Sequence, residues 1–431
     1  MQYPFRRIHR IAATAPLCIT LLLCGCGGGG TLDLSSATNS GDPCNNGSAN
    51  YTPISSPVTA IAAAARISFA IKNDGTLWAW GTSAKGQLGA GATTSSVTPI
   101  QIGDGFAAVS ASFGHSLGLK NDGTLWAWGD NSFGQLGDNS TTASDVPMQI
   151  GSDSDTYTAI AAGLNFSLAI KSDGTLWAWG DNSFKQLGIG DNSPANCTTN
   201  PVTGFAFCPV PVQVGSDNTY TAISAGTGHS LALKTDHSLW AWGDNYYGEL
   251  GNDSTTDSAV PVQIDTGSGY GAIAAGYFYS LGIKLDGSLM AWGNNVQGKP
   301  ANPAVTDHVP TQIGASFSPV ADALSASKFS VLGNTAVYYH SLALQSDGSL
   351  WAWGDNIFGQ LGDNNPPTPS SVPEQILADS GYAFTAVSAG DDDHSLAIKN
   401  DGSLWAWGSN SCGQLGDGTT STSYAPKQVS R

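Results

Sequence analysis

One pentapeptide of the chain has the spacing of a hydrolase nucleophile. Gly114-His-Ser-Leu-Gly118 spells G-x-S-x-G, a motif in which serine attacks an acyl group from a sharp strand-to-helix turn. Here the surrounding residues alternate as in a strand, and no helical pattern follows. Other copies of the same phrase carry alanine in place of the second glycine, at Ala232, Ala343 and Ala397. We therefore interpret the motif as part of a repeat, and the sequence predicts no catalytic residue.

A second set of residues could bind a metal. Four histidines share one position of that phrase: His115, His229, His340 and His394. The other copies hold Ile67, Phe166 and Tyr279 there. A zinc site needs three or four converging ligands, whereas one histidine per repeat keeps these side chains apart. A packed, hydrogen-bonded ring explains the apolar replacements better, so the sequence predicts neither a metal nor a cofactor.

An aspartate recurs in every copy and could be mistaken for a catalytic carboxylate: Asp74, Asp122, Asp173, Asp236, Asp286, Asp347 and Asp401. Asp-Gly between two alternating runs predicts a hairpin, with positive φ expected at both central residues. The aspartate is then expected to bond nearby backbone. In one copy His237 replaces the glycine, and the turn is predicted to survive because histidine tolerates positive φ better than most residues.

Two polar loops invite a calcium interpretation. Residues 137–140 and 416–419 combine Gly and Asp with Asn, Ser or Thr. They lack the EF-hand spacing and the nonapeptide repeat of known calcium loops, so polar turns are the favoured interpretation. Asp391-Asp-Asp393 is the one loop in which weak cation binding stays open.

The phrase that carries these residues is written seven times. Its Trp-Ala-Trp-Gly core begins at Trp78, Trp126, Trp177, Trp240, Met290, Trp351 and Trp405, at spacings of 48 to 63 residues. A period near fifty indicates an array of supersecondary units. Each unit contains about four short strands that are apolar on both faces, and such sheets sandwiched between like neighbours form a β-propeller. We therefore predict an all-β, seven-bladed propeller over residues 58–431.

Composition and repeat phase agree with this architecture. Fifty-four glycines and only 11% charged residues argue against helical solenoids and coiled coils, which need Ala, Glu, Lys and Leu in bulk. A formal charge of −17 disfavours nucleic-acid binding. The first unit begins at Val58, and the last ends at 426–429, where the next unit would begin. We therefore expect the N-terminal strand to complete the last blade and close the ring.

The repeated phrase closely resembles that of the regulator-of-chromosome-condensation family. Gly228-Thr-Gly-His-Ser-Leu-Ala-Leu-Lys234 and Gly354-Asp-Asn-Ile-Phe-Gly-Gln-Leu-Gly362 match it almost throughout. The resemblance implies a seven-bladed propeller. Members of the family include a guanine-nucleotide exchange factor and a secreted bacterial inhibitor that binds an enzyme, so the resemblance alone does not choose a function.

The N-terminus has the pattern of an export signal. Arg6, Arg7 and Arg10 precede an apolar run at 11–23, which is too short to span a bilayer. Leu23-Cys24-Gly25-Cys26 resembles a bacterial lipobox, so residues 1–25 are predicted to be removed and Cys26 lipidated. Ordinary cleavage and release is the alternative. Residues 26–57 are predicted to be a flexible tether because they contain few large apolar groups.

Four cysteines remain after this processing: Cys44, Cys197, Cys208 and Cys412. An even number in an exported chain predicts disulfides. Cys197 and Cys208 share one insertion, and closing a loop of that size contributes on the order of 3 kcal/mol in the chain-entropy model. We expect a Cys44–Cys412 bridge to join the first and last blades; a free Cys44 in a mobile tether is the alternative.

Three departures from the repeat mark candidate binding loops. The third unit has an insertion at 189–209, the fifth has a degraded loop at 299–301, and the sixth extends its first strand region through 328–339. Binding residues usually lie on loops of a rigid scaffold, although surface loops also drift freely.

These features predict a monomeric, lipid-anchored propeller in the bacterial cell envelope, with a weak preference for the outer membrane. It would bind a protein or an envelope polymer without catalysis, with its membrane contact made through the lipid. Nucleotide exchange by analogy with the family, or an enzyme in the central cleft, is the rival interpretation.

Overall fold

The computed structural model describes residue 54 and residues 57–91, 95–191, 197–199, 204, 206–294, 307–328, 339–377, 383–391 and 393–429. The predicted leader, Cys26 and almost all of the predicted tether lie outside these ranges. Ile54 is an exception: it is buried beside Val58 in the packed core. The packed body therefore begins before the predicted boundary at residue 58. None of the described helices is long and apolar enough to cross a membrane.

Seven antiparallel sheets form seven blades, as predicted. Blade 1 contains β1 (Val58–Ala64), β2 (Ile67–Lys72), β3 (Leu77–Gly81) and β4 (Ser96–Gly103); blade 2 contains β5 (Phe106–Ala111), β6 (His115–Lys120), β7 (Leu125–Gly129) and β8 (Ser144–Ile150); blade 3 contains β9 (Tyr157–Ala162), β10 (Phe166–Lys171), β11 (Leu176–Asp181), β12 (Thr198–Thr199) and β13 (Ala206–Gln213).

The remaining blades follow the same plan. Blade 4 contains β14 (Tyr220–Ala225), β15 (His229–Lys234), β16 (Leu239–Gly243) and β17 (Ser258–Ile264); blade 5 contains β18 (Tyr270–Ala275), β19 (Tyr279–Lys284), β20 (Leu289–Gly293) and β21 (Asp307–Gly314); blade 6 contains β22 (Leu324–Ala326), β23 (His340–Leu344), β24 (Leu350–Gly354) and β25 (Ser370–Ile376); blade 7 contains β26 (Phe384–Ala389), β27 (His394–Lys399), β28 (Leu404–Gly408) and β29 (Ser423–Gln428). A single 3-10 turn, Ala321–Ala323, precedes β22 within the described ranges.

The first strand of each blade lies innermost, where it contacts the first strands of both neighbouring blades. This circle is complete, because β26 of the last blade contacts β1 of the first. The predicted mode of closure is wrong, however. Strand β1 pairs with β2, and β29 pairs with β28, so each terminal strand completes its own blade. The ring closes by packing blade 7 against blade 1 without exchange of a strand.

The second and third strands of each blade are joined by a tight hairpin. In blade 2, Gly123 N donates to Lys120 O at 2.9 Å and Lys120 N donates to Thr124 O at 3.0 Å. Only Gly123 has positive φ, +84°. The connection is therefore a three-residue loop ending in a left-handed residue, and the expectation of two positive-φ residues is wrong. The hairpin itself is confirmed.

Bulky rings fill the spaces between blades. The second tryptophan of each phrase is fully buried: Trp80, Trp128, Trp179, Trp242, Trp292, Trp353 and Trp407. The first tryptophan is half-buried where it is present. Successive side chains of a strand point to opposite faces. The leucine before the first tryptophan and the alanine between the two tryptophans therefore project to the other side of the sheet.

The ring has two faces, which differ in the strand connections that each one carries. The turn between the first and second strands and the loop between the third and fourth strands lie at the same end of an antiparallel sheet. We call the surface formed by these segments the loop face. The hairpins between the second and third strands form the opposite surface, the hairpin face.

Candidate functional site

Neighbouring blades are joined by a repeated polar contact at the loop face. In blade 1, Gln87 O accepts hydrogen bonds from Ser116 Oγ at 3.0 Å and from Trp128 Nε1 at 2.9 Å, both in blade 2. We call this arrangement the carbonyl clamp. The same clamp is made by Gln135, Gln186, Glu249, Gln360 and Gln414. The clamp of Gln414 receives Ser68 and Trp80, so the closing interface uses the same bonds as the others.

The repeated histidines belong to this contact. His115 Nε2 lies 2.9 Å from Ser167 Oγ of the next blade. Because Ser167 donates its own proton to Gln135 O, it accepts the proton of His115 Nε2. The matching pairs are His229–Ser280, His340–Ser395 and His394–Ser68. The expected packing and hydrogen bonding of these histidines are confirmed at four of the interfaces between blades.

Burial keeps these imidazoles neutral. It lowers the pKa of His115, His340 and His394 to about 3 and that of His229 to about 4. Ser116 is fully buried in β6 and donates to Gln87 O. The serine of the G-x-S-x-G phrase therefore lies in a strand, as predicted, and its proton is used in a contact between blades.

The recurrent aspartates have the predicted role in the hairpins. Asp122 Oδ1 accepts from Thr124 N at 2.9 Å and from Thr124 Oγ1 at 2.7 Å. The backbone N–H two residues on donates to each of the other six: Asp74, Asp173, Asp236, Asp286, Asp347 and Asp401. Hydrogen bonds from the hydroxyl and the backbone N–H of the residue two positions on lower the pKa of all seven. His237 has φ +64°, and its hairpin is intact because His237 N donates to Lys234 O.

The two calcium-like loops are polar turns. Asp138 accepts from Asn131 and Ser140, and Asp417 accepts from Thr419 and from Lys427 at 2.6 Å. Among the described residues, no group of three His, Cys, Asp or Glu side chains could hold a metal ion.

The described carboxylates of the Asp391-Asp-Asp393 loop accept hydrogen bonds from blade 6. Asp391 Oδ1 accepts from Lys328 N at 2.6 Å, and Asp393 Oδ1 accepts from Gln360 Nε2 at 3.0 Å. Its central residue lies outside the described ranges. Cation binding there therefore stays untested.

The three candidate binding loops fall, by chain position, in connections that belong to the loop face. The insertion at 189–209 falls between the third and fourth strands of blade 3, and the structure assigns part of it to β12 and β13. The loop at 299–301, outside the described residues, falls between the third and fourth strands of blade 5. The insertion at 328–339 follows β22, which ends at Ala326, so it falls between the first and second strands of blade 6; residues 329–338 lie outside the described ranges.

The start of the blade 6 insertion reaches across the ring. Lys328 Nζ donates to Ala162 O in blade 3 at 2.7 Å. Thr227 Oγ1 of blade 4 donates to Lys328 O, and Lys328 N donates to Asp391 of blade 7. Lys328 thus links blade 6 to blades 3, 4 and 7. Burial lowers the pKa of Lys328, and the nearby Asp391 carboxylate opposes that shift.

Aromatic side chains from three blades meet beside this insertion. Tyr246 and Tyr247 of blade 4 contact each other at a centroid distance of 4.8 Å, and Tyr247 lies 5.0 Å from Phe278 of blade 5. Tyr277 stacks on Tyr339 of blade 6 at 5.2 Å. The ring of Tyr246 is 42% exposed. We call these five residues the aromatic patch.

The sequence analysis did not identify this patch, although its signal was present. Tyr246 and Phe278 occupy repeat positions that hold Ser132 and Gly114 in blade 2. No repeat position marks the contacts of Lys328 with blades 3 and 4, because these contacts depend on which residues the fold brings together across the ring.

One predicted disulfide is confirmed. Cys197 and Cys208 are bonded, with their Cα atoms 4.1 Å apart. Cys412 is also disulfide-bonded, and its partner lies outside the described residues. Cys44 lies there too, so its pairing with Cys412 stays a prediction.

Comparison with known proteins gives a consistent family. A model of the RCC1-like domain matches residues 9–332, and models of the regulator of chromosome condensation (RCC1) repeat match 347–398, 401–431 and 384–414. The chain is 30% identical to the ultraviolet-B receptor UVR8 of Arabidopsis thaliana over 63% of this chain and 57% of that protein. It is 29% identical to the probable E3 ubiquitin-protein ligase HERC6 of Homo sapiens over 63% of this chain and 20% of that protein. The chain thus matches less than two thirds of these relatives' length.

Solved structures share the fold. Human WBSCR16 superposes with a TM-score of 0.68 at 20% identity, covering 83% of this chain and 94% of the other. Prp20p of Saccharomyces cerevisiae superposes with a TM-score of 0.63 at 21% identity, covering 88% and 87%. At this level of identity the similarity concerns the architecture.

Proposed function

Since the chain belongs to the RCC1-like domain family, whose fold serves more than one function, we propose that it is a binding module that receives a protein or an envelope polymer on its loop face. The carrying observation is the position of the irregular segments. By chain position, the insertions of blades 3 and 6 and the altered loop of blade 5 fall in connections of the loop face, where the described aromatic patch also lies, whereas the hairpin face repeats its Asp-centred turn in all seven blades.

The chemistry of the loop face supports this proposal. Tyrosine is enriched at the centres of protein interfaces because it offers a rigid apolar ring and a polar end. Tyr246 of the aromatic patch and Ile357 of blade 6 are large side chains exposed on this face, at 42% and 37%. The fold also serves binding elsewhere: the study of Prp20p concerns its binding properties to Gsp1p and histones.

The repeated polar side chains support a role without catalysis. Serine, histidine and aspartate of the phrase are engaged in the carbonyl clamps and the hairpins. Burial favours the neutral form of the four histidines. A general base would instead need a pKa near the working pH and access to substrate.

We propose a place in the bacterial envelope from the N-terminal sequence. Cys26 would carry the lipid, and 26–53 would separate the propeller from the membrane surface. Mass spectrometry of the mature N-terminus tests this step. A lipid-modified Cys26 is expected, and an unmodified terminus at another residue would refute the assignment.

The loop-face proposal is tested by matched substitutions on the two faces. Candidate partners are captured from envelope extract by the purified mature protein, identified by mass spectrometry, purified, and titrated against each variant. Tyr246→Ala and Ile357→Ala remove exposed side chains of the loop face. Leu285 is a side chain of the hairpin face that is 49% exposed. Leu285→Ala removes it and is the control.

The expected result is asymmetric. Each loop-face variant should weaken binding of the purified partner at least about tenfold, which corresponds to 1.4 kcal/mol, while Leu285→Ala should leave it unchanged. Equal losses from both faces, or loss from Leu285→Ala alone, would place the partner elsewhere. Turnover of a substrate that is abolished by one loop substitution would instead favour an enzyme.

A further inference from the structure

Blade 4 differs from the other described blades at one position of its carbonyl clamp. The residue whose carbonyl receives the serine and tryptophan is glutamine in five clamps, and in blade 4 it is Glu249. Its side chain is fully buried. A buried carboxyl thus takes the place of a buried amide.

The amide has a defined role in blades 3 and 6. Gln186 Oε1 accepts from Phe184 N at 2.8 Å, and Gln186 Nε2 donates to Asp181 Oδ2 at 3.0 Å. In blade 6, Gln360 Nε2 donates to Asp355 Oδ2 at 2.7 Å. The aspartate lies five residues before the glutamine in both cases, so each buried carboxylate receives an amide proton.

Glu249 keeps only half of this arrangement. Glu249 Oε2 accepts from Tyr247 N at 2.8 Å, as the glutamine Oε1 does in the other blades. The other oxygen, Glu249 Oε1, therefore occupies the place of the glutamine Nε2, and it is buried without a hydrogen-bond partner. Asp244 lies five residues earlier, like Asp181 and Asp355, and accepts from Tyr246 N in the same way that Asp181 accepts from Ser183 N.

We propose that Asp244 and Glu249 form a proton-binding site in which Glu249 Oε1 carries a proton and donates it to the Asp244 carboxylate. The bound proton restores the donor that the amide supplies in blades 3 and 6. When it leaves to solvent, two negative charges share a buried site, and the clamp that Glu249 O makes with Ser280 and Trp292 of blade 5 is loosened. The interface between blades 4 and 5 is then sensitive to pH.

The surroundings of Glu249 favour the protonated form. Burial, the Asp244 carboxylate and the Asp257 carboxylate raise its pKa well above the usual value, against the opposing effect of backbone hydrogen bonds. The other ionisable groups that face the pair are Tyr247, whose pKa is itself raised, and, beside Asp244, the buried His229 of blade 4 and Tyr277 of blade 5. From blade 5, the residues in contact with its carbonyl are Ser280 and Trp292. No described lysine or arginine contributes to the shift.

The free energy of unfolding of the wild-type protein is expected to fall as the pH rises. A carboxyl whose pKa is raised by folding contributes its stability at low pH and loses it as the pH rises through the folded-state pKa. One proton corresponds to a change of up to about tenfold per pH unit in the unfolding equilibrium constant.

The test compares wild type with Glu249→Gln, which installs the residue found in the other clamps, and with Asp244→Asn. Urea unfolding is followed from mildly acidic to alkaline pH, because the loss of stability spans the interval between the usual carboxyl pKa of 4.5 and the raised one. Wild type is expected to lose stability relative to both variants as the pH rises. Infrared spectra of the folded protein at neutral pH should show a protonated carboxylic-acid band that both variants lack.

A transplant provides the matched control. Gln186→Glu places the same carboxyl beside Asp181, and it should add a second acid band and steepen the alkaline loss of stability. Parallel pH profiles for wild type and Glu249→Gln, or a wild-type spectrum without the acid band, would overturn the proposal.

Discussion

Two interfaces of the ring, that between blades 2 and 3 and that between blades 5 and 6, differ in their polar contacts. Between blades 2 and 3, Gln135 O accepts from Ser167 and Trp179, and His115 donates to Ser167. Between blades 5 and 6, the described residues supply no acceptor for Trp353 Nε1, which is fully buried. The loop that would carry the clamp has Lys299-Pro-Ala in place of Gln-Leu-Gly and lies outside the described ranges.

The interface between blades 5 and 6 has a different set of contacts. Tyr279 occupies the histidine position, and its hydroxyl lies 2.9 Å from Ser341 Oγ. Its ring packs against Tyr339 at 5.8 Å. The comparison separates two contributions that the other interfaces combine, namely the packing of a buried indole and the hydrogen bond of its N–H group.

Removing the whole ring should have the largest effect. Trp179→Ala and Trp353→Ala each empty a buried site between blades, and truncations of this kind cost about 3–5 kcal/mol. Chemical denaturation of both variants measures the cost. If Trp353→Ala were nearly neutral, packing would not hold blades 5 and 6 together, and the comparison would rest on the wrong contribution.

Lowering the pH should have the next largest effect on stability, and this effect should differ between the two interfaces. Folding lowers the pKa of His115 to about 3 from a usual 6.5, so its contribution is complete above pH 6.5 and is lost as the pH falls toward the lower value. At pH 5 the loss amounts to about 2 kcal/mol for one fully buried histidine.

Phenylalanine provides the matched variant for this measurement, because blade 3 naturally has Phe166 at that position. His115→Phe should flatten part of the decline in the free energy of unfolding between pH 6.5 and pH 4. Tyr279→Phe, at the interface without a histidine, should leave the slope unchanged. Identical slopes in wild type and His115→Phe would contradict neutral burial of His115.

Much of this architecture could be predicted because the same residues recur seven times. Trp78 and its counterparts set the period, and Asp122 with Gly123 locates a hairpin, so the blade count and most strand positions follow from local patterns. The turn differs from the expected type because Asn121 also belongs to the loop, which makes it one of three residues. The mode of closure differs because repeat phase alone does not determine whether a terminal strand crosses to the neighbouring blade.

The candidate site was harder to predict, since it depends on contacts between blades. The sequence shows that the glutamine at position 135 recurs. It does not show that Trp179 donates to the backbone carbonyl of Gln135 instead of to its side chain. Likewise, aligning the repeats shows that Glu249 replaces a glutamine. Only the structure shows that Tyr247 N donates to Glu249 Oε2 and that Glu249 Oε1 is left without a hydrogen-bond partner.

The smallest effect should isolate the indole hydrogen bond. Trp179→Phe removes a donor from a satisfied clamp and reduces the size of the buried ring, whereas Trp353→Phe makes the same change in size where the N–H group has no described acceptor. A typical intramolecular hydrogen bond contributes about 1 kcal/mol, and a buried donor without a partner is itself unfavourable. Trp179→Phe should therefore cost about 1 kcal/mol more than Trp353→Phe in urea unfolding. The two substitutions share the change in ring volume, so their difference reports the bond. Equal costs would mean that Trp353 finds an acceptor in the loop of blade 5, and the two interfaces would then be alike.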